Sequence, residues 1–379
     1  MIISVFLLLG SFFYVSAILA LYVGLHRLSN SAQNSDKPFV SVIVPARNEE
    51  KNIIKCLSSL AEQTYPKSLF EIIVLDDNSE DQTFHLAEEF SRARDNFRVI
   101  SLPEPPTHRS PKKVALEAGI EHSRGEIIFT TDADCVVQPQ WIETMVRHFD
   151  EKTGAVLSWL KVRPGRKMLS RLESLDSMAL SFVGAAAVGL GKPALANGAN
   201  FAYRKSVFRE LGGFSGIDQY ASGDDDLFLQ KLSRQKKWRV AFATEPEACV
   251  TSGATENLKT FFSQRFRWAS KGPLYPPALF AIETLIYFYF FALAITLPFS
   301  FTAIFPTAIP LAVFMIKIGV DYLFVKKGSQ FLNARIPLLV FLLTEVFQIF
   351  YILIVGIGGS VGKFQWKGRT FARGKVLAN

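Results

Sequence analysis

Two aspartates separated by one small residue, Asp132 and Asp134, give the first chemical signal in this chain. They follow residues 126–130, a short apolar run with the composition of a buried strand. On an extended turn, carboxylates at positions i and i+2 can face the same side. Oxygen ligands of this kind suit Mg²⁺ or Mn²⁺, which in turn bridge the phosphates of a diphosphate. The pair predicts a metal site for a diphosphate, although the same pattern also occurs in ordinary turns.

A second acidic run consists of three adjacent aspartates, Asp224, Asp225 and Asp226, placed just before a helical pattern. One or two carboxylates at a helix start can be simple caps. Three in a row repel one another, which predicts that at least one of their pKa values is raised. A carboxylate with a raised pKa is a candidate general base.

Other polar side chains close to predicted strand ends are candidates for phosphate or nucleotide contacts. Asp76 or Asp77 can accept a hydrogen bond from a nucleobase N–H or a ribose hydroxyl, or cap the next helix. Lys112 and Lys113 open a predicted helix, where both the helix N-terminus and the cations favour phosphate. For Lys113 a solvated helix face is an equal alternative.

Further along the chain, Gln264, Arg267 and Trp268 lie just before the strongly apolar C-terminal region. Arg267 can offset the charge of a departing diphosphate, and Trp268 can pack against a sugar or an acceptor. A basic and aromatic anchor at the membrane surface is the alternative, and composition alone does not separate the two.

The elements that must position these residues alternate along the chain. The predicted strands are 39–44, 71–75, 97–102 and 126–130, and the predicted helices between them are 52–60, 83–90 and 112–122. This alternation predicts an open, mostly parallel α/β sheet, whose ligands bind at the carboxyl ends of the strands. The first strand is followed by PARNEE rather than by GxGxxG, which counts against a dehydrogenase.

Composition predicts that part of the chain lies in lipid, since 49% of its 379 residues are hydrophobic. The division is residues 1–25 as an anchor helix, 26–37 as a linker, 38–273 as a soluble domain, 274–360 as a membrane region and 361–379 as a basic tail. Three spans are expected in the membrane region, at 279–301, 307–325 and 336–358. Their charged residues, which include Lys317 and Asp321, are either functional or paired, or lie at the interface.

Charge and cysteine content exclude several function classes. The net charge of +8 comes without a single basic block, which favours membrane and phosphate over nucleic acid as partners. The three cysteines are far apart, so the chain predicts neither a zinc site nor a disulfide framework.

The ordered motifs VSVIVPARNEE, VLDDNSEDQT, TTDADC, SGDDDLFLQKL and QRFRW resemble those of the family 2 inverting glycosyltransferases of GT-A fold. The resemblance covers about residues 38–270. The membrane layout and QRFRW are most similar to the membrane-embedded branch, which includes ceramide glucosyltransferase and the cellulose and hyaluronan synthases. The tail motif Trp366-Lys367-Gly368-Arg369 looks like that of lipid-modifying members.

The resemblance implies a role for each matching residue. Asp225 aligns with the family's catalytic base and Asp224 with the preceding glutamate, while Asp226 stays an alternative base. Gln264, Arg267 and Trp268 match the family's QxxRW. The implied residues for the nucleotide sugar are Pro45, Arg47, Glu49, Asp77 with Asp76 as its alternative, Lys112, Asp132 and Asp134, the last two also holding the metal.

The implied function is transfer of a sugar, with inversion, from a nucleotide sugar (most simply a UDP-sugar) to a hydroxyl of a membrane lipid. A processive polysaccharide synthase and a non-catalytic membrane scaffold that binds nucleotide or sugar are the alternatives. Because nucleotide sugars are cytosolic, the soluble domain should face the cytosol at the inner membrane. Three later spans would put the basic tail outside, against the positive-inside rule, unless one segment is re-entrant or the tail is an exception.

Overall fold

The computed structural model describes residues 2–28, 34–300, 308–361, 363–367, 369–372 and 374–376. Part of the predicted linker, the segment 301–307 and part of the basic tail, including Gly368 and Arg373, lie outside these residues. Within them the α-helices are α1 (Ile2–Arg27), α2 (Ile53–Ala61), α3 (Thr83–Ser91), α4 (Pro111–His122), α5 (Trp141–Val146), α6 (Met168–Gly189), α7 (Lys205–Glu210), α8 (Asp226–Arg234), α9 (Leu258–Ala269), α10 (Pro277–Phe299), α11 (Ile309–Phe331) and α12 (Leu338–Val361). The strands are β1 (Val40–Ala46), β2 (Phe70–Asp76), β3 (Phe97–Ser101), β4 (Ile127–Thr130), β5 (Thr153–Leu157), β6 (Leu160–Val162), β7 (Phe201–Arg204), β8 (Arg239–Phe242), β9 (Val250–Ser252), β10 (Lys363–Trp366), β11 (Arg369–Ala372) and β12 (Lys375–Val376).

A seven-stranded sheet with the order β3-β2-β1-β4-β7-β5-β8 forms the centre of the described soluble part. The four predicted strands and the three helices between them are confirmed, with each boundary shifted by no more than two residues. The sheet is mixed rather than wholly parallel because β7 runs antiparallel to both β4 and β5. The first four strands are parallel, and their pairing sets Ala46 opposite Asp76, so their carboxyl ends meet at one edge.

Different sets of helices cover the two faces of the sheet. Alternate residues of a strand point to opposite faces, so Val42 and Ile43 belong to separate apolar cores. The core around Val42 is closed by soluble helices such as α2. The core around Ile43 includes residues of α1, α6, α11 and α12, so the membrane region is continuous with one face of the sheet.

Three helices of the described residues are long and apolar enough to cross a membrane: α1, α10 and residues Leu338–Ser360 of α12. They correspond to the predicted anchor and to the first and third predicted C-terminal spans. The second predicted span, which begins outside the described residues, forms α11. This helix carries Lys317, Asp321, Lys326 and Lys327 along its length, and it does not meet the same standard of apolarity.

The charges within the membrane region are paired inside the bundle. Lys317 is fully buried, and its ammonium lies 2.8 Å from Asp321 and 2.5 Å from Glu345. Tyr14 donates its hydroxyl proton to Asp321 at 2.8 Å. Because burying an isolated charge is very costly, this cluster fixes α1, α11 and α12 relative to one another.

Helix α12 both begins and ends against the soluble domain. Near its start, Val340 and Phe341 join the core that covers one face of the sheet. Near its end, Gly358 lies so close to Phe266 of α9 that an added Cβ would be 2.3 Å from the ring. The chain that follows therefore stays at the soluble domain, where β10, β11 and β12 form a small antiparallel sheet. The described part of the basic tail lies beside the strand ends, where Lys367 meets Glu49 and Arg369 meets Asp77.

Helices α1 and α6 cross where two glycines meet. A Cβ added to Gly189 would lie 2.0 Å from the carbonyl oxygen of Gly24. We expect Gly189→Ala to destabilise the fold by about 1–3 kcal/mol, because the backbones must separate. Gly319→Ala is the matched control, since nothing lies within 4 Å of a Cβ there. Thermal unfolding in detergent measures the difference, and equal melting temperatures would contradict the close packing.

Candidate active site

The carboxylates of Asp132 and Asp134 lie at the end of β4, at the shared carboxyl edge of the sheet. Ligand atoms of Asp132, Asp134 and Cys135 all lie within 4.8 Å of one another. The ammonium of Lys112, at the start of α4, is 2.8 Å from Asp132 and 3.0 Å from Asp224. Lys112 thus joins the two acidic motifs, which are almost a hundred residues apart in sequence.

The second acidic motif is organised by the start of α8. Asp225 is the N-cap residue, and its carboxylate accepts hydrogen bonds from the backbone N–H groups of Asp226 (2.8 Å) and Gly198 (3.1 Å). Lys271, which follows α9, places its ammonium 2.7 Å from Asp226 and 3.5 Å from Asp225. Asp225 therefore both caps α8 and lies in the candidate site.

Neighbouring charges give the aspartates of this motif different pKa values. Burial raises the pKa of Asp226 to about 7, with Asp225 adding to the rise and Lys271 opposing it. Burial also disfavours the charged form of Asp225, but Lys271 and Lys112 outweigh it and hold its pKa well below the usual range. The prediction of at least one raised pKa in this run is confirmed, and the raised group is Asp226.

The residues at the end of β4 fit a hard divalent cation. Asp134 is exposed by its accessible surface, but desolvation by the surrounding protein and the nearby carboxylates of Asp132 and Glu49 raise its pKa to about 6. A cation between these like charges would favour their ionised forms. Burial raises the pKa of the Cys135 thiol well above its ordinary value, so the thiol stays protonated. The oxygen atoms of Asp132 and Asp134 are therefore the ligands that suit Mg²⁺ or Mn²⁺ here.

Lys112 and Lys113 point in different directions from the start of α4. Lys113 is fully buried and donates to the carbonyl oxygens of Tyr220 (2.6 Å) and Ser222 (2.7 Å). Burial lowers its pKa to about 8. A solvated helix face, one of the sequence alternatives for Lys113, is wrong: the side chain holds the loop that leads into the acidic motif.

A cavity of about 970 Å³ joins the acidic motifs to the membrane region. At one end it is lined by nine predicted residues: Lys112, Asp132, Asp134, Asp224, Asp225, Asp226, Gln264, Arg267 and Trp268. At the other end part of its wall is formed by apolar side chains of the candidate spans, including Phe288 of α10 and Ile352 and Val355 of α12. The cavity therefore extends from the acidic motifs to the long helices, where its wall is largely apolar but also includes Glu283, Asp321 and Glu345.

The remaining predicted residues gather beside this cavity, at the ends of β1 and β2. Pro45 pairs with Leu75 within the sheet, and Arg47 donates to the carbonyl oxygens of Asp77 (2.7 Å) and Asn78 (2.8 Å). Asp76 is 4% exposed, and within the described residues its Oδ1 atom has no hydrogen-bond partner. A buried carboxylate oxygen without a partner is costly, so this atom is a candidate acceptor for a ligand N–H or hydroxyl.

The C-terminal tail contributes residues to this region that the sequence did not place there. Arg369 binds the carboxylate of Asp77 through two N–H groups, at 2.5 and 3.1 Å. Lys367 forms an ion pair with Glu49, and its carbonyl oxygen accepts a hydrogen bond from Arg47. The Trp-Lys-Gly-Arg motif drew attention to the tail, but only the fold shows that its cations meet the carboxylates at the ends of β1 and β2.

Two further residues of the site, Arg265 and Lys271, were not predicted from the sequence, because each forms an ion pair with a residue far away in the chain. Arg265, within QRFRW, is 3% exposed and forms an ion pair at 2.8 Å with Asp176 of α6. Its guanidinium donates to Gln264 at 2.8 Å and lies 4.3 Å from the ring centre of Trp268. Arg265 therefore contacts two of the predicted residues directly, while Lys271 contacts two others.

Comparison with known sequences matches the chain to two overlapping family descriptions. "Glycosyl transferase family 2" matches residues 41–212, and "Glycosyl transferase family group 2" matches residues 127–326. The second match alone covers more than half of the chain.

Similar proteins carry related descriptions. A probable glycosyltransferase YdaM of Bacillus subtilis is 31% identical over 236 residues, which is 61% of this chain and 54% of YdaM. Glycosyltransferase AglE of Haloferax volcanii is 32% identical over 219 residues, covering 57% of this chain and 67% of AglE. The beta-monoglucosyldiacylglycerol synthase of Trichormus variabilis is 29% identical over 237 residues, covering 62% of this chain and 49% of the synthase. The chain thus spans about half the length of the first and third of these relatives.

A solved structure shares the fold over nearly the whole chain. The mannosyltransferase PcManGT from Pyrobaculum calidifontis, solved with GDP-Man and Mn²⁺, superposes with a TM-score of 0.62 at 18% identity, over 94% of this chain and 98% of PcManGT. The fold is accordingly of the GT-A type, as the motifs predicted. Together the ordered motifs, the matched descriptions and the shared fold lead to one conclusion: this chain belongs to glycosyltransferase family 2.

Proposed function

We propose that this protein is an inverting hexosyltransferase that moves a sugar from a nucleotide-sugar donor to a hydroxyl group of a membrane lipid. The observation that carries this proposal is the single cavity with acidic residues at one end and membrane helices at the other. A lipid acceptor needs such a shape, because its hydroxyl must reach a polar centre while its chains stay among apolar side chains. The reaction would belong to glycolipid biosynthesis.

Relatives whose names contain a lipid support this proposal. One is the beta-monoglucosyldiacylglycerol synthase already described, and another is a dolichyl-phosphate beta-glucosyltransferase of Trichomonas vaginalis, 37% identical over 107 residues. The matched segments cover only part of each relative, so the acceptor of this chain rests on its own cavity as well.

On the donor side, we assign the nucleotide to the ends of β1 and β2. The unpartnered Oδ1 of Asp76 or the carboxylate of Asp77 would accept from the base or the ribose, next to Pro45, Arg47 and Glu49. A UDP-sugar is the simplest donor. The diphosphate would then reach Asp132 and Asp134, which would hold Mg²⁺ or Mn²⁺. When bound, this ion neutralises the negative charge of the diphosphate.

The chain's own residues would complete a single in-line displacement. Asp225 takes the proton from the acceptor hydroxyl, and the oxygen attacks the anomeric carbon from the face opposite the diphosphate. The bond from this carbon to the diphosphate oxygen breaks, and the configuration is inverted. Arg267 and Lys112 offset the charge of the leaving group, while Trp268 and Gln264 line the acceptor side.

Two other functions fit the observations less well. A processive polysaccharide synthase needs a membrane channel for its polymer, and such a channel usually takes more spans. Within the described residues, three helices are long and apolar enough to cross a membrane. A non-catalytic scaffold needs no base, and Asp225 is an ionised carboxylate at the cavity wall. We place the protein in the cell membrane, at the inner face, with the soluble domain in the cytosol.

Transfer is tested with purified protein in lipid nanodiscs, a panel of nucleotide sugars, Mg²⁺ or Mn²⁺, and mass spectrometry of the lipid fraction. We expect one donor to add a single hexose mass to a lipid, and Asp225→Asn to lower the rate by about 10²–10⁴-fold because the base is lost. Nucleotide binding should remain. Asp218→Asn, which alters an aspartate paired with Arg109 outside the cavity, is the matched control. Wild-type turnover of Asp225→Asn would rule out its role as the base.

The pH dependence separates Asp225 from Asp226 as the base. A base must be deprotonated, so the rate falls as the pH drops through its pKa. With Asp225 as base, kcat/KM at saturating metal should stay nearly constant from pH 8 to pH 6, because its pKa is far lower. With Asp226 as base, the rate should already fall below its pKa of about 7. A tenfold loss per pH unit beginning near neutrality would transfer the role to Asp226.

Metal use is tested through binding rather than turnover. We expect Asp134→Ala to abolish the part of UDP binding that depends on Mn²⁺, because one of the two oxygen ligands is removed. Isothermal titration with and without Mn²⁺ measures this, and Asp150→Ala, at a surface pair with Arg239, is the control. Unchanged metal-dependent binding in Asp134→Ala would refute the metal site.

A further inference from the structure

A group of exposed cations lies where α6 and α9 begin, away from the acidic motifs. We call it the basic patch and define it by seven exposed residues: Arg163, Arg166, Lys167, Met168, Arg171, Leu258 and Lys259. Two of these are apolar, and each is the first residue of its helix: Met168 is 42% exposed and Leu258 is 53% exposed. The other five are cations.

The two chain segments of the basic patch form one continuous surface. The ammonium of Lys167 donates to the carbonyl oxygen of Glu256 at 3.3 Å, and the backbone N–H of Arg163 donates to Ser252 at 2.9 Å. Glu173 is 2% exposed and accepts from Thr255, which fixes the start of α6 to the loop before α9. These contacts make the patch a built surface rather than two independent loops.

The positive charge of the patch is not neutralised by the protein. Among the residues that the structure describes, none of its five cations forms an ion pair. The exposed carboxylate beside them is Glu256. The patch therefore presents an excess of positive charge to whatever it faces, and contributes strongly to the chain's net charge of +8.

The patch also lies beside the membrane region. Asp176 of α6 accepts a hydrogen bond from Tyr351 of α12 at 2.5 Å, and the ring of Phe261 in α9 packs 5.8 Å from that of Phe347. Both helices that begin in the patch therefore rest on α12. The outer side of α12 is an exposed apolar stripe: Leu339, Leu342, Leu343, Val346, Phe350, Ile354 and Ile357. Such a stripe belongs in lipid, which puts the patch at the lipid boundary.

We propose that the basic patch binds the anionic headgroups of the adjoining leaflet, with Met168 and Leu258 inserted at the level where headgroups meet acyl chains. Cations near an anionic leaflet are attracted to it, and flanking apolar side chains add affinity by leaving water. The contact would hold α6 and α9, which line the cavity, against the leaflet. A soluble polyanion such as RNA would not account for the two apolar residues.

The chain offers a clean site for a reporter of this contact. Its native cysteines, Cys56, Cys135 and Cys249, are all buried. Met168→Cys therefore accepts a single environment-sensitive fluorophore in the full-length protein. The matched control is Lys55→Cys on α2, since that helix covers the face of the sheet opposite to the membrane helices.

The labelled proteins are placed in nanodiscs of pure phosphatidylcholine or of phosphatidylcholine mixed with phosphatidylglycerol. At position 168 we expect a blue shift and a several-fold lower quenching constant for a soluble quencher in the anionic discs. High salt should reverse both, because it screens the attraction. The label at position 55 should be quenched equally in both discs.

Removing positive charges from the basic patch tests whether the patch causes the difference in quenching between the two kinds of disc. The combined change Arg166→Gln, Lys167→Gln and Arg171→Gln should abolish the difference between the two kinds of disc, whereas Lys51→Gln with Lys55→Gln on the opposite face should preserve it. Equal quenching at position 168 in both discs, or an unchanged difference in the triple variant, would overturn the proposal. Protection by added RNA but not by anionic discs would overturn it in favour of a nucleic-acid surface.

Discussion

The structure depends on balancing a concentration of negative charge at one edge of the sheet. Five aspartates line the same cavity there, and like charges held close together oppose folding, most of all at the buried Asp224 and Asp226. Two lysines offset them: the partly buried Lys112 bridges Asp132 and Asp224, and the buried Lys271 bridges Asp225 and Asp226. Each bridge joins separate elements, so charge balance also fixes β4, α4, α8 and the chain after α9.

Adjacent residues of the same type have different properties in this site, because their surroundings differ. Asp225 and Asp226 are neighbours, yet one is held ionised and the other titrates near neutrality. Lys112 and Lys113 are also neighbours, yet one faces carboxylates while the other is buried against two backbone carbonyls. Helix geometry explains the two lysines, because successive side chains project about 100° apart around the axis of α4. Asp225 precedes α8 as its N-cap, and it differs from Asp226 because Lys112 and Lys271 favour its charged form.

Much of the α/β framework was predictable because its signals are local. Short runs rich in Val and Ile marked β1, β2 and β4, and helical spacing marked α2 and α3. The antiparallel β7 has only four residues and no comparable pattern. Sequence order could not reveal that it would enter the sheet between β4 and β5.

The residues of the candidate site also divide into those with a local sequence signal and those without one. Acidic motifs at strand ends could be recognised because a strand end implies a ligand edge. Lys271 and the pair of Arg265 with Asp176 have no local signature, since each depends on a partner many residues away. The same holds for Tyr275, whose hydroxyl donates to Asp226 at 2.5 Å. The path of α12 was also hidden, because apolarity measures compatibility with lipid and says nothing about where a helix ends.

The place of the tail has a consequence for biosynthesis. Lys367 and Arg369, which meet Glu49 and Asp77 at the ends of β1 and β2, are translated after α10, α11 and α12. Strands β1 and β2 are among the first parts of the soluble domain to leave the ribosome. The two sides of this region are therefore made at opposite ends of translation. The nascent chain can assemble its sheet early, but it can complete this end of the site only after α10, α11 and α12 have been made.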